Sequence, residues 1–202
     1  MQDGGIDKRR RHFLTAAATV VGGVGVVATA VPFVSTLAPS AKTKAIGGPV
    51  EVDISGIKPG ERKTVKWRGK PVWILRRSKE AVAELANMAD ILRDPQSDVE
   101  QQPAYAKNDY RSVNPEYLVV VGLCTHLGCS PNYLARGDES HDFGQDWKGG
   151  FFCPCHGSKF DLAGRVFKGV PAPANLVVPK YQFISDTIIL IGDDSSDAGV
   201  SS

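Results

Sequence analysis

The sequence predicts a mainly β fold, antiparallel, with one helical insertion and an N-terminal transmembrane helix in front of it. Three observations carry the prediction. Residues 13–41 contain no charged side chain, a run longer than the roughly 20 apolar residues a bilayer-spanning helix needs. From residue 50 onward, short apolar segments alternate with turns containing Gly, Pro, Asn and Asp, the punctuation of strands joined by hairpins. Residues 79–92 alone carry apolar side chains at helical spacing.

The 202 residues suffice for one soluble domain and an anchor. A formal net charge of +2 offers no basic surplus for a nucleic-acid partner, and none is expected. Lys8, Arg9, Arg10 and Arg11 cluster in a leader of residues 1–12 and place that end in the cytoplasm. The anchor spans residues 13–37. Ala28-Thr29-Ala30 has the small-residue form of a signal cleavage site. The apolar run continues past it through Val31, Pro32, Phe33 and Val34, which favours an anchor that stays in place. Arg10-Arg11-His12-Phe13-Leu14 resembles a twin-arginine signal, which exports proteins already folded. These features imply a single-pass protein of a bacterial inner membrane, held in lipid by its anchor, with the domain in the periplasm, where disulfides persist.

Residues 38–48 are small and polar and read as a linker. Residues 50–54 alternate strictly, as a half-buried strand does. Residues 64–67 and 72–75 flank Arg68-Gly69-Lys70-Pro71 and read as a hairpin, with Trp67 and Trp73 as core or interface filler. Ser78 is a good N-cap for the helix, whose Val82, Leu85, Met88 and Leu92 share one face. Residues 94–114 are polar and turn-rich, a surface excursion. Residues 117–123 form a continuous apolar strand, residues 130–150 a loop, and Phe151-Phe152 a short strand. Residues 160–166 suggest strand, turn and strand around Ala163-Gly164. Residues 169–173 are a rigid turn-rich segment, and residues 176–179, 182–184 and 187–191 are closing strands. The tail at residues 193–202 is expected to fray.

The chemistry lies in two boxes, Cys124-Thr125-His126-Leu127-Gly128-Cys129 and Cys153-Pro154-Cys155-His156-Gly157-Ser158. They hold all four cysteines and two of the four histidines. Each offers a thiolate and an imidazole at metal-ligand spacing, and one further cysteine, Cys129 or Cys155. Two sulfur and two imidazole ligands on paired loops can hold a [2Fe–2S] cluster, cysteines on one iron and histidines on the other. The leftover cysteines can close a disulfide between the loops. A closed structural zinc site and a pair of plain disulfides draw on the same residues. Zinc leaves the extra cysteines without a role, and plain disulfides leave His126 and His156 without one. His12 lies in the basic leader and His141 in a polar stretch, where solvation is expected of it.

The two boxes, the export signal and the later Pro-rich segment resemble the Rieske iron–sulfur subunit of the bacterial cytochrome bc1 complex, ubiquinol–cytochrome c reductase. Rieske centres are themselves the standing example of this mixed ligation. The resemblance implies one [2Fe–2S] Rieske cluster, with Cys124 and Cys153 on one iron, His126 and His156 on the other, and a Cys129–Cys155 disulfide. It implies a Rieske-type β-sandwich over residues 49–192, with a cluster-binding subdomain at about 118–168. A proline loop at 169–173 would cover the cluster, and a hinge at 38–48 would let the head swing. The implied activity is that of a subunit of a dimeric, proton-translocating quinol–cytochrome c oxidoreductase, not active alone. It would take one electron from quinol at cytochrome b and pass it to cytochrome c1. His156, with His126 as a second contact, would accept the proton. Ser158 would donate to a bridging sulfide, and Leu127 and Gly128 would form the docking tip. Phe160 is a departure, because many family members carry there a tyrosine whose hydroxyl donates to a ligand cysteine sulfur.

Three further readings compete with it. One is the Rieske small subunit of a periplasmic molybdenum oxidase such as arsenite oxidase, which also joins an export signal to a Rieske domain. Another is a soluble Rieske ferredoxin or oxygenase component, which would lack the extra disulfide pair. The last is a structural zinc interaction module.

Overall fold

The computed structural model describes residues 7–40, 43, 47–137, 143 and 147–193. His141, residues 41, 42 and 44–46 of the expected hinge, and the expected tail from residue 194 lie outside the described residues. The chain divides into two compact units between residues 45 and 46.

Among the described residues, the first unit holds one long helix, α1 (Lys8–Ser35). Asp7 caps it, its carboxylate accepting from the Arg9 and Arg10 amides at 3.0 and 3.2 Å. That places an anion at the positive end of the helix dipole. Its 28 residues span about 42 Å, beyond the roughly 30 Å of a hydrocarbon core. Where water is absent every polar group must be satisfied internally. The hydroxyls of Thr15, Thr19 and Thr29 accordingly donate to the carbonyls of Arg11, Thr15 and Gly25 at 2.8, 2.9 and 2.8 Å. The helix is long and apolar enough to cross a membrane, and it starts inside the basic cluster rather than after it.

The second unit holds, among the described residues, three antiparallel sheets of three strands each. In the first, β1 (Val50–Asp53) pairs with β9 (Ile188–Ile191), which pairs with β8 (Tyr181–Ser185). In the second, β2 (Arg62–Trp67) and β3 (Lys70–Arg76) form the expected hairpin, and β3 pairs with β4 (Tyr117–Val121). The hairpin turns on Arg68 and Gly69 at φ 48° and 77°, the left-handed pair that suits strand twist. In the third, β5 (Asn132–Leu134), β6 (Gly150–Phe152) and β7 (Lys159–Phe160) lie side by side.

All five residues of β4 are buried. Burial of each such aliphatic side chain contributes about 1.5–3 kcal/mol, so this strand is a rigid base for the first box. It runs directly into Cys124. At its end, a Cβ on Gly122 would meet the Trp73 ring at 2.2 Å, so glycine alone lets the indole pass. Trp73 in turn stacks on Phe151 at 5.2 Å, which joins the second sheet to the third. Trp67 is half-buried under the Arg68 guanidinium, 4.6 Å from its ring.

Four segments differ from expectation, each for a physical reason. The helical insertion is α-helical only over α2 (Lys79–Glu84), capped by Ser78, and continues as a 3-10 helix over Leu85–Ile91. Its apolar residues Val82, Leu85, Met88 and Ile91 recur every third position, which is the 3-10 period. The 130–150 region contributes β5. Residues 176–179 form no strand. The Val177 carbonyl accepts from the Val121 amide and the Val178 amide donates to the Gln101 carbonyl, so their single bonds go to different segments and no ladder forms. Residues 94–114 are more than a surface excursion, since Ser97, Arg111 and Ser112 are buried. A guanidinium can be buried where carbonyls take up its donors, a condition no local pattern reveals.

Tyr181 ties β8 to that excursion. Its hydroxyl accepts from the Val113 amide at 2.9 Å, while its backbone exchanges hydrogen bonds with the Tyr105 hydroxyl at 2.8 and 2.9 Å. Burial pushes its phenol up to about 12. Tyr181→Phe should cost about 1–3 kcal/mol, because the Val113 amide is left unpaired. The folded protein keeps this phenol neutral while the unfolded chain ionises it from about pH 10. The stability it contributes is therefore complete below pH 10 and lost as pH rises towards 12. Denaturant titrations of wild type and variant should show their stability difference shrinking over that window; a constant difference would contradict the assignment.

Candidate metal centre

The two boxes close with the same backbone bonds. The Gly128 amide donates to the Cys124 carbonyl at 2.9 Å, and the Gly157 amide to the Cys153 carbonyl at 2.9 Å. The Cys124 amide donates to the Cys129 carbonyl at 2.7 Å, and the Cys153 amide to the Ser158 carbonyl at 2.8 Å. Gly128 and Gly157 sit at φ 81° and 75°, a left-handed conformation that glycine adopts without strain. Each loop thus presents its first cysteine at the root and its histidine near the crest.

Cys124 and Cys153 are free and buried, at 3% and 2% exposure. Cys129 and Cys155 are joined in a disulfide with their Cα atoms 6.7 Å apart, a bridge from the sixth position of the first loop to the third of the second. The sulfurs of Cys129, Cys153 and Cys155 lie within 4.8 Å of one another. Two of these are committed to the bridge, which leaves Cys153 and Cys124 as thiol donors. Their side chains interact with each other. Burial pushes the Cys124 thiol up, and Cys153 adds to the rise, while the His126 amide and the Ser158 hydroxyl pull the other way. A metal bound here must therefore displace a proton that burial retains.

The two imidazoles meet edge to face, centroids 4.7 Å apart. His126 is half-buried, and its Nδ1 is buried with no hydrogen-bond partner among the described residues. A buried, unpartnered ring nitrogen costs free energy unless something takes its lone pair. Two buried thiols on the same pair of loops and a second ring in contact with the first offer sulfur and nitrogen donors of the kinds a mixed-ligand metal group takes. His156 is exposed, as are Leu127, at 71%, and Gly128.

A third segment holds both loops. The Thr125 hydroxyl donates to the Ala174 carbonyl at 2.6 Å, and the Ala172 amide donates to the buried Ser158 hydroxyl at 3.0 Å. The Pro-rich stretch therefore bonds to each box once. A lone threonine carries no motif, so sequence reasoning assigns Thr125 no role. Its only signal is its place between two metal-ligand residue types.

Known proteins share this geometry's sequence signature. Residues 92–182 match the Rieske [2Fe-2S] domain, and residues 1–40 match the ubiquitinol-cytochrome C reductase Fe-S subunit TAT signal. A ubiquinol-cytochrome c reductase iron-sulfur subunit of Allochromatium vinosum is 57% identical over 96% of this chain and 93% of its own. The chain belongs to this family. The counterpart from Rhodospirillum rubrum is 46% identical, covering 93% of this chain and 94% of its own. Among solved structures, a chain of a hyperthermophilic respiratory Complex III matches with 25% identity and a TM-score of 0.47, covering 88% of this chain and 98% of that one. Membership rests on the sequence relatives. The cofactor is a Rieske [2Fe–2S] cluster, and the N-terminal helix and export signal make this a membrane-anchored subunit.

The disulfide lies across the two loops that carry the donors. Cys129→Ser should leave both thiols and both imidazoles in place but let the loops part, at a cost of about 2–5 kcal/mol. The expected result is a cluster that assembles and is then lost readily on warming, monitored by its visible absorption. Complete absence of iron from freshly made protein would instead make Cys129 a ligand.

Proposed function

We propose that this chain is the electron-carrying subunit of a quinol–cytochrome c oxidoreductase of the cytochrome bc1 type. It takes one electron from quinol at cytochrome b and passes it to cytochrome c1. The complex would be dimeric and proton-translocating, the chain inactive alone, and its domain would face the periplasm from a lipid-embedded anchor. The observation that carries this reading is the graded burial of the donor set, with thiols enclosed and one imidazole open to a partner. Cys124 and Cys153 would hold one iron, and His126 and His156 the other. The bound cluster supplies a one-electron acceptor.

The remaining roles belong to the chain. Metal ligation through Nδ1, the orphaned atom of His126, would leave the Nε2 of that ring for a partner. His156, the exposed one, would take the quinol hydroxyl proton at its own free ring nitrogen as the electron leaves. Its reach suits proton acceptance within hydrogen-bond distance. Leu127 and Gly128 would form an apolar, sterically small tip that excludes water around that contact. Ser158, buried and fixed by Ala172, would direct its proton to sulfur and stabilise added negative charge.

Purification of the chain from its native membrane tests the reading. Haem-bearing cytochrome b and c1 partners and quinol-dependent cytochrome c reduction are expected, whereas co-purification with a molybdenum subunit would replace it. For the ligands, His126→Ala and His156→Ala should each abolish the EPR signal of a two-histidine cluster, and a normal spectrum in either would remove that residue from the ligand set. Phe160 is fully buried in β7, paired with Phe151 of β6. Phe160→Tyr should raise the reduction potential if its added hydroxyl reaches a ligand sulfur. Voltammetry showing an unchanged potential with an intact spectrum would leave Phe160 a packing residue only.

A further inference from the structure

Just after the second box the chain turns through residues 161–165, and three buried guanidiniums close on that turn. Arg77 donates to the Leu162 carbonyl at 3.0 Å. Arg111 donates to the carbonyls of Ala163 and Gly164 at 3.2 and 3.3 Å, to that of Leu176 at 2.7 Å and to Gln102 Oε1 at 2.9 Å. Arg165 pairs with Asp161 at 2.7 Å and reaches the Leu85 carbonyl at 2.6 Å. Exposures of Arg77, Arg111 and Arg165 are 2%, 0% and 2%.

The charges do not balance. Asp161 is the carboxylate buried among them, and it is paired with Arg165. The further partners of Arg77 are neutral: the carbonyls of Pro115 and Tyr110 and the Ser112 hydroxyl. Asp94 acts on Arg111 from a half-exposed position, with its carboxylate bound to the amides of Asp98 and Val99. Burial pulls Arg77 and Arg111 down to about 10, so both stay protonated at neutral pH. Carbonyl dipoles hold the surplus cations, but they do not cancel the field outside the cage.

The cage touches each segment that shapes the metal centre. Gly164 lies against Val120 of β4, the strand that leads into Cys124 four residues later. Asp161 lies three residues beyond Ser158. Leu176 lies three residues beyond the Pro-rich stretch and two beyond Ala174, which accepts from Thr125, while Ala172 within the stretch donates to Ser158. A buried charge is screened much less than one at the surface. In the oxidised centre the charges of two ferric irons, two sulfides and two thiolates cancel, with both imidazoles neutral. The single electron accepted on reduction is then an uncompensated negative charge. A nearby buried cation favours the reduced form alone.

We propose that the buried surplus of positive charge centred on Arg111 raises the reduction potential of the cluster, besides pinning the 161–165 turn to the Pro-rich stretch. The inference rests on the reading of the two boxes as the cluster site. Arg111 is a positioning residue, since it touches neither ligand nor substrate. The test is an EPR-monitored redox titration of the full-length chain in its native complex, for Arg111→Gln, Arg111→Lys, Gln102→Glu and Gln102→Ala. Gln102→Glu sets a carboxylate against Arg111 while keeping its fork; Gln102→Ala controls for the lost amide. Arg111→Gln and Gln102→Glu should titrate at lower potential with unchanged line shape, and Arg111→Lys and Gln102→Ala close to wild type. If Arg111→Gln carries no cluster, the Gln102 pair still decides. An unchanged potential in Gln102→Glu, or a lowered one in Arg111→Lys, overturns the proposal. Absence of a two-histidine signal in wild type would instead overturn the ligand assignment on which it rests.

Discussion

The clasp between two identically closed loops is the constraint on which the centre depends. Neither loop can position a metal group by itself, since each has one enclosed thiol and one imidazole. Equal backbone closure puts the two cysteines at the roots and the two rings at the crest, and the Cys129–Cys155 bridge holds the two loops together. Without that clasp the loops part more readily and the shared centre is held less firmly. The fully buried β4 anchors the first loop, and β6 and β7 flank the second. Trp73 and Phe151 connect those sheets. The fold therefore works as a rigid jig beneath a small chemical surface.

A gradient of burial runs through that surface. Thiols sit where water is excluded, one imidazole is half-buried and the other is open. An enclosed sulfur side favours preorganised hydrogen bonds from residues such as Ser158, while an open imidazole gives a partner access to a proton-accepting nitrogen. Coupling of electron and proton acceptance needs both environments close together, and each loop supplies them from residues two or three apart in the chain, Cys124 with His126 and Cys153 with His156. The arginine cage beneath adds a fixed field from within the domain. The electrostatic work is thus divided between groups close to sulfur and charges held deeper below the loops.

Much of this is legible in the sequence because it is local. The boxes, the apolar anchor, the Arg68-Gly69 hairpin turn and the Ser78 cap each announce themselves through residues adjacent in the chain. The features that escape depend on contacts between distant segments. Arg111 reads as an ordinary polar residue in a turn-rich stretch, and only the fold supplies the carbonyls of residues 163, 164 and 176 that bury it. Thr125 has its role because Ala174 lies opposite. The switch from α to 3-10 geometry at Leu85 is present in the spacing of Val82, Leu85, Met88 and Ile91, where helical amphipathicity and a strict three-residue period are easily confused. Residues 176–179 have the composition of a strand, but their hydrogen bonds go to separate segments.

Delivery of two nitrogens and two sulfurs to one group by the two loops is the central claim. Pulsed EPR on the reduced protein, with histidine ring nitrogens labelled with nitrogen-15, measures this directly. Two nitrogen couplings of ligand strength are predicted in the wild type, one of which disappears when His126 or His156 alone is replaced by a residue that still permits a cluster. A single coupling, none, or two that persist in both variants would contradict it.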